Sequence, residues 1–357
     1  MQVYRGMTHF ERFWRNQNFC SFLTIGNFDG VHRGHLKLIK EVTTLAESYK
    51  QHNPKVILKT IILTFEPHPK EFFDIANAPT RLSTLHEKLR LLANTNVDYV
   101  VVCPFTADFA KISANDFVQK ILCDIFNVKK VFIGDDFRFG AKRQGDFKFL
   151  QEIGKKQNFE VFSMQTFFEH KPENSQNLNE RISSSLIRKA LWDGDLQRAN
   201  NLLGRIYSID GQVRSGQQLG RKLGFATANL FVRHNPVPMQ GVFAVEIKIS
   251  GRFFKKFKKF KKNTQNLVEK NQNQTQKRYF GVANLGMRPT INDKQKMRSI
   301  LEVHIFDFNQ NIYGEHIEVL FHKKLRNEQK FNSLEELQQQ INIDCQKAKD
   351  FFNQSQI

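Results

Sequence analysis

Two histidines, His32 and His35, close a glycine-rich stretch that follows an apolar segment; residues 26–35 read GNFDGVHRGH. This order predicts a strand, a tight turn and the first turn of a helix, where backbone N–H groups and the helix dipole attract phosphate. Residues three apart share one helix face, so both rings can reach the same anion, and Gly34 leaves room for it. The stretch therefore predicts a phosphate site. The simpler interpretation is a tight turn with two surface histidines.

Two further segments carry groups that suit a nucleotide site. In FEPHP, residues 65–69, two prolines restrict the backbone and present His68. In GDDFRFG, residues 134–140, Asp136 and Phe137 lie in a glycine-flanked loop that can stack a flat ring and accept hydrogen bonds from its edge. The alternative for this loop is a turn whose aromatic rings pack into the core.

A second phosphate site is predicted at ISSSLIR, residues 182–188. Ser183 and Ser184 supply hydroxyls at a helix start, and Arg188 follows one turn later on the same face. Simple capping of the helix by serine is the alternative. These segments contain no nucleophile with a partnered base, which favours direct nucleotidyl transfer, where the protein positions reactants and neutralises phosphate charge.

A different chemistry is indicated after residue 205. Four glycines within fourteen residues predict a loop whose backbone can wrap a polyphosphate: Gly211, Gly216, Gly220 and Gly224. Thr227 and Asn229 then offer oxygen ligands of the kind Mg²⁺ prefers. Glu302 interrupts an apolar strand, where a carboxylate can act as a general base. An outward-facing strand residue is the alternative for Glu302.

The elements that must position these residues fall into two groups. Apolar strands at 22–27, 56–65, 98–103, 129–134 and 159–164 alternate with helices at 34–50, 84–95, 113–126 and 146–156. This predicts an α/β domain with a parallel, Rossmann-like sheet. The motifs at 26–35, 65–70 and 134–145 each follow a strand, so they should meet at the carboxyl edge of the sheet.

A small antiparallel β-barrel is predicted from short strands at 206–213, 241–250, 279–285, 299–306 and 316–322. Two short helices lie before it, and a final helix begins at Ser333 with a Ser333/Glu336 capping box. The stripe of apolar residues on that helix is Leu334, Leu337, Ile341, Cys345, Ala348 and Phe351. The predicted domains are 1–182, a helical connector at 183–204, and 205–357.

Composition is that of a globular protein, with 357 residues, 40% hydrophobic and 25% charged. The four cysteines have no CxxC spacing, which argues against a zinc site or a disulfide framework. No signal peptide or membrane-spanning run is predicted, so we expect a cytoplasmic protein. The net charge is +19, and residues 252–278 hold ten Lys and Arg against one acid, Glu269. We expect this segment to be a disordered hairpin insertion, with RNA or membrane contact as the alternative.

The first four motifs, GNFDGVHRGH, FEPHP, GDDFRFG and ISSSLIR, resemble the adenylyltransferase module of the bacterial bifunctional riboflavin kinase/FAD synthetase family. The resemblance implies transfer of AMP from ATP to FMN, giving FAD and pyrophosphate, with His32 and His35 as catalytic residues that hold the ATP phosphates. It implies contacts to nucleotide or flavin at these residues: Gly26, Asn27, Phe28, Asp29, Gly34, Phe65, His68, Asp136, Phe137, Ser183, Ser184 and Arg188.

Later motifs, GVANLG at 281–286, LEVHIFDF at 301–308 and LRNEQKF at 325–331, resemble the riboflavin kinase module of the same family. The resemblance implies that Thr227 and Asn229 hold Mg²⁺–ATP and that Glu302 deprotonates the riboflavin hydroxyl that attacks the γ-phosphate. Arg326 would belong to a loop that closes near the flavin. The implied binding residues of this module are Gly211, Gly216, Gly220, Arg221, Gly224 and Arg326.

One departure from the family pattern concerns the metal ligands. The family's Pro-Thr-Ala-Asn is Ala226-Thr227-Ala228-Asn229 here, and loss of the proline frees the backbone before the ligands. The leading hypothesis is a two-step enzyme that converts riboflavin to FMN and FMN to FAD. The alternatives are an adenylyltransferase with an impaired kinase, and an RNA-binding protein on a nucleotidyltransferase fold.

Overall fold

The computed structural model describes residues 1–14, 17–134, 136–164, 168–169, 180–215, 224–232, 237–249, 265–266, 277–290 and 293–355. The chain divides into two compact units. The first comprises Met1–Pro79, Leu85–Ile182 and Lys262–Lys270, and the second comprises Thr80–Thr84, Ser183–Lys261 and Asn271–Ile357. The domain limits at 182 and 204 stay predictions.

The first unit is built on one sheet with the strand order β12-β1-β4-β3-β2-β5-β6. All neighbouring strands are parallel except β12, which pairs antiparallel with β1. The strands are β1 (Gln2–Arg5), β2 (Phe19–Ile25), β3 (Ile57–Glu66), β4 (Tyr99–Pro104), β5 (Val128–Gly134), β6 (Glu160–Met164) and β12 (Gln265–Asn266). A separate two-stranded ribbon pairs β7 (Phe168–Glu169) with β8 (Glu180–Arg181).

Helices follow most of these strands, which is the alternation that a parallel sheet requires. They are α1 (Met7–Trp14), α2 (Arg33–His52), α3 (Pro69–Phe73), α4 (Leu85–Leu92), α5 (Ala107–Ala110), α6 (Ala114–Asp116), a π-helical segment (Phe117–Ile125), a 3₁₀ turn (Ala141–Arg143) and α7 (Phe147–Lys156). The predicted parallel sheet is therefore confirmed. The sequence prediction missed β1 and α1, and the helical stretch it placed at 113–126 consists of α6 and the π-helical segment.

The second unit is a closed antiparallel barrel with the strand order β10-β14-β13-β11-β15-β9, which confirms the predicted barrel. Its strands are β9 (Ser208–Arg214), β10 (Thr227–Phe231), β11 (Gly241–Ile249), β13 (Arg278–Thr290), β14 (Asp293–Ile305) and β15 (His316–Arg326). Its helices are α8 (Ser184–Asp193), α9 (Leu196–Leu203) and α10 (Leu334–Ser355). The prediction lacked β10.

Two faces of each barrel strand have different roles. Side chains such as Phe243, Leu301 and Phe321 fill the interior and are fully buried. On the outer face, α10 covers part of the sheet through a cluster in which its Cys345, Ala348 and Phe352 pack against Val242, Ala244 and Val282. Burial of this apolar surface holds the helix on the barrel.

The start of α10 corrects two details of the prediction. Ser333 Oγ accepts the N–H of Glu336 at 3.1 Å as expected, but the Glu336 carboxylate accepts from Asn332 at 3.0 Å. Leu334, predicted on the buried stripe, is 51% exposed because it lies in the first turn, outside the cluster on the barrel.

Most of the basic segment 252–278 lies outside the described residues, and so do the expected disordered hairpin and its alternative, RNA or membrane contact. Two of its residues, Gln265 and Asn266, form β12 at the edge of the first sheet, opposite Val3 and Gln2. The end of the segment, Arg278, begins β13.

Gly281 allows two barrel strands to approach closely. A methyl group at Gly281 would overlap the backbone carbonyl of His304. We therefore expect Gly281→Ala to lower the free energy of unfolding by about 1–3 kcal/mol. At Gly286 the obstacle is the end of the Glu328 side chain, which can move. Gly286→Ala should lower the free energy of unfolding by less. Urea unfolding followed by circular dichroism compares the two variants. Equal losses of unfolding free energy would contradict this explanation.

Candidate active sites

The topology of the first sheet identifies where a ligand is expected to bind. From β2 the chain adds β3 and β4 on one side and β5 on the other, so the sheet has its switch point between β2 and β5. In open parallel sheets, ligands bind beyond the carboxyl ends of the strands at such a point. The segments that follow β2 and β5 are the predicted phosphate stretch at 26–35 and the aromatic loop at 134–145.

A left-handed turn connects β2 to α2. Phe28, Gly30 and Val31 have φ values of 49°, 77° and 40°, and His32 is the N-cap of the helix. His32 Nδ1 accepts the backbone N–H of His35 at 3.4 Å, and His35 Nδ1 accepts that of His32 at 3.3 Å. The two histidines therefore form a reciprocal capping box at the positive end of the helix dipole.

The same contacts align the two imidazole rings. Their centroids are 3.6 Å apart with planes at 16°, and the ring of Phe28 lies 5.0 Å from that of His35. His32 is only 6% exposed, and Asp29 is buried nearby in the chain. The structure thus brings His32 and His35 together as predicted, at a helix start that suits phosphate.

Two successive hydrogen bonds support this turn. The Lys88 ammonium donates to Thr64 Oγ1 at 3.4 Å, and the Thr64 hydroxyl donates to the Asn27 carbonyl at 3.2 Å. Lys88 is 4% exposed, which is rare for a lysine. Sequence reasoning missed it because Lys88 lies in an ordinary amphipathic helix, where lysine usually faces solvent.

The other predicted residues of this unit occupy varied positions. His68 is the N-cap of α3, and its Nδ1 accepts the Lys70 N–H at 3.1 Å. Phe65 is 8% exposed and packs against Phe105 and Phe109. Phe137 stacks on Phe139 at 5.5 Å, so the aromatic rings of the loop join the core at least in part, and Asp136 is exposed. Their contacts with nucleotide or flavin stay predictions.

The ISSSLIR segment begins a helix of the second unit. Ser183 is the N-cap of α8, where its Oγ accepts the Leu186 N–H at 3.2 Å, and Ser184 is the first helical residue. Arg188 Nε donates to the Thr80 carbonyl, within the same unit. Capping by serine is therefore shown, and phosphate binding by Ser183, Ser184 and Arg188 stays a prediction.

Strand register in the barrel brings the predicted kinase residues into one row. Asn229 on β10 lies opposite Glu302 on β14, and Glu302 also lies opposite Asn284 on β13. Thr227 lies opposite His304, two residues further along the same face. The intervening residues of these strands fill the barrel interior, so this row lies on the outer face, where all its side chains are partly buried. Sequence reasoning assigned no role to Asn284, because only the register places it beside Glu302.

The backbone before the predicted metal ligands, Thr227 and Asn229, is held by the His304 side chain. His304 Nδ1 lies 3.0 Å from the Ala226 carbonyl oxygen, and its ring contacts that of Phe225. With its proton on Nδ1, His304 donates a hydrogen bond that fixes the residue preceding Thr227. This contact restricts the chain where the family proline is absent.

The predicted glycine loop is only partly described. Gly211 lies within β9 opposite Ile317, so the connection to β10 starts after that strand and not at Gly211. Gly224 is exposed with a φ of 86°, a value that favours glycine. Gly216, Gly220 and Arg221 lie outside the described residues. Arg326 ends β15, and its guanidinium pairs with Asp344 of α10.

Comparison with known proteins assigns a family to each half of the chain. The family model for FAD synthetase matches residues 15–179, and the model for riboflavin kinase matches residues 203–352. The bifunctional riboflavin kinase/FMN adenylyltransferase of Escherichia coli K12 is 42% identical over 92% of both chains. The protein of the same name from Haemophilus influenzae is 40% identical over 99% of this chain and 100% of its own.

A solved structure supports the fold along nearly the whole chain. A Streptococcus pneumoniae protein, described as a macrolide-efflux protein, has a TM-score of 0.71 and 25% identity, and the match covers 96% of this chain and 97% of that one. Among the described residues here, no helix has the length and apolar character needed to cross a bilayer. Two family models and relatives at 40–42% identity converge on one assignment: this chain belongs to the bifunctional riboflavin kinase/FMN adenylyltransferase family.

Proposed function

We propose that this protein makes FAD in two ATP-dependent steps, the phosphorylation of riboflavin to FMN and the adenylylation of FMN to FAD. The observation that carries the proposal is that each unit has its own phosphate-directed constellation: stacked histidines at a helix start in one, and the Asn229–Glu302–Asn284 row in the other. ATP is the co-substrate of both steps, and Mg²⁺ accompanies it.

In the adenylylation step, the FMN phosphate oxygen attacks the α-phosphorus of ATP and pyrophosphate leaves. The protein supplies no covalent group; it positions the phosphates and offsets charge that develops on them. His32 and His35 lie at the positive end of the α2 dipole, where imidazole N–H groups and backbone N–H groups act on the same anion. We assign phosphate contacts to Ser183, Ser184 and Arg188 from the family resemblance.

In the kinase step, Glu302 accepts the proton of the riboflavin 5′-hydroxyl while its oxygen attacks the γ-phosphorus and ADP leaves. A general base must lie within hydrogen-bonding reach of that hydroxyl, and the register places Glu302 directly beside Asn229. Thr227 and Asn229 have the oxygen donors that Mg²⁺ accepts, and their alternation on β10 puts both on the face of Glu302. Bound Mg²⁺ would neutralise charge on the ATP phosphates.

The replacement of proline by Ala226 raises the alternative of an impaired kinase. The His304 contact to the Ala226 carbonyl supports a competent site, because it restrains the same backbone by another means. A protein with adenylyltransferase activity alone would convert FMN but not riboflavin.

The test is incubation of the purified protein with riboflavin, ATP and Mg²⁺, with products separated by chromatography. We expect FMN and then FAD to accumulate. A parallel reaction that starts from FMN reports the second step alone. Formation of neither product overturns the proposal, and FAD from FMN only would support the impaired-kinase alternative.

A further inference from the structure

A buried ion pair ties the end of β15 to α10. Arg326 Nε donates to both carboxylate oxygens of Asp344, at 3.1 and 2.9 Å, and Arg326 Nη2 lies 2.8 Å from Asp344 Oδ2. Gln340 donates to the same carboxylate at 3.0 Å. The Asp344 side chain is 2% exposed. A bidentate pair with this geometry fixes the direction of the guanidinium as well as its position.

The pair also orders the chain that follows β15. Arg326 Nη1 donates to the Asn327 carbonyl at 3.0 Å, and the guanidinium lies 5.7 Å from the centre of the Phe331 ring. The guanidinium therefore contacts both ends of the segment 327–331. Asp344 holds that segment by holding Arg326.

A second attachment places the segment on the face that carries Glu302. The Glu328 carboxylate lies against Gly286, where a methyl group would overlap its oxygens. Gly286 faces the same side of β13 as Asn284, because residues two apart on a strand share a face. Asn284 in turn lies opposite Glu302.

The order of strands decides which substrate the segment would affect. Strand β14, with Glu302, lies between β10 and β13. The proposed Mg²⁺–ATP ligands Thr227 and Asn229 belong to β10, and the Glu328–Gly286 contact is on β13, on the other side of Glu302. The segment 327–331 therefore borders the side of the general base where the acceptor alcohol, rather than ATP, must enter.

We infer that Asp344 is a positioning residue for riboflavin in the kinase step, acting through Arg326 and the segment 327–331. The inference rests on the proposed kinase function. Removing the Asp344 charge leaves the Arg326 guanidinium partly buried without its anion, so the segment loses its anchor. Substrate binding on that side weakens, and the chemistry at Glu302 is left in place.

The experiment measures riboflavin phosphorylation by Asp344→Asn in the full-length protein, with each substrate varied in turn. We expect the KM for riboflavin to rise about tenfold, with the KM for ATP and kcat changed much less, as for loss of uniform binding. Asp350→Asn is the matched control, since Asp350 is an exposed acid of the same helix that accepts from Gln346. It should keep wild-type constants.

A second variant perturbs the segment 327–331 without altering the Arg326–Asp344 ion pair. Gly286→Ala displaces Glu328, so it should also raise the riboflavin KM, and it decides the question if Asp344→Asn does not fold. FAD formation from FMN reports the adenylylation step in each variant. Unchanged riboflavin KM values, with only thermal stability or kcat lowered, overturn the inference. A wild-type protein that does not phosphorylate riboflavin overturns the proposed function instead.

Discussion

Replacement of Glu302 with glutamine should remove FMN formation and leave FAD formation from FMN intact. Glutamine keeps the shape of the side chain in the row with Asn229 and Asn284, but its amide cannot accept the hydroxyl proton. Because general-base catalysis contributes about 10²–10⁴-fold, the rate of riboflavin phosphorylation should fall by that factor. Initial rates with riboflavin and with FMN as separate substrates measure the two steps.

The control for this variant is Asp307→Asn. Asp307 is an exposed acid just after β14, and its φ of 51° is a conformation that asparagine tolerates. Asp307→Asn removes one negative charge near β14 but leaves the row of Asn229, Glu302 and Asn284 unchanged, so both activities should stay at wild-type rates. Equal loss of both activities in Glu302→Gln, or full retention of phosphorylation, would contradict the role of Glu302.

Substitution of His32 should have the reverse effect, with FAD formation lost and riboflavin phosphorylation kept. Removing one preorganised donor from a phosphate-stabilising site costs about 10²–10³ in rate. Alanine also removes the helix cap, since His32 Nδ1 accepts the His35 N–H, and loss of a cap costs about 1 kcal/mol of stability. Thermal unfolding and the rate of FMN conversion should therefore both change in His32→Ala.

Asparagine separates these two effects at the same position. It is a favoured N-cap residue, so His32→Asn should restore stability, but it lacks the ring that stacks on His35 at 3.6 Å. We expect FAD formation to stay low in this variant. Recovery of both the rate of FAD formation and the stability would show that His32 acts only as a helix cap. His52→Asn, at the exposed end of the same helix, is the control and should leave both activities unchanged.

The sequence predicted much of the fold because the signals are local. Apolar runs alternate with amphipathic helices up to residue 164, and short alternating strands follow after 205. Asp195 and Gly204, residue types that favour helix ends, cap the start and end of α9. The misses also have physical causes. Strand β1 has four residues, of which only Val3 and Tyr4 are buried. Four residues are too few to show the alternation of apolar and polar side chains that predicts a strand.

Strand β10 was missed for another reason. Its short sequence, Thr227–Phe231, follows a glycine-rich run and contains two polar residues that suggested ligands in a loop. The prediction of ligands and the observed strand are compatible, since Thr227 and Asn229 lie on β10 in the same row as Glu302. Pairing with β14 and β9 makes this segment a strand, and those partners are remote in sequence.

By itself the sequence determined the two kinds of chemistry, because residue types at short spacings specify donors, acceptors and helix starts. It placed His32 and His35 on one face of one helix and identified Glu302 as a carboxylate in an apolar strand. The tertiary structure alone decided which residues remote in sequence meet: Asn284 beside Glu302, Lys88 at Thr64, and Asp344 against Arg326. Those contacts depend on strand register and helix docking, which long-range burial sets and local sequence patterns do not encode.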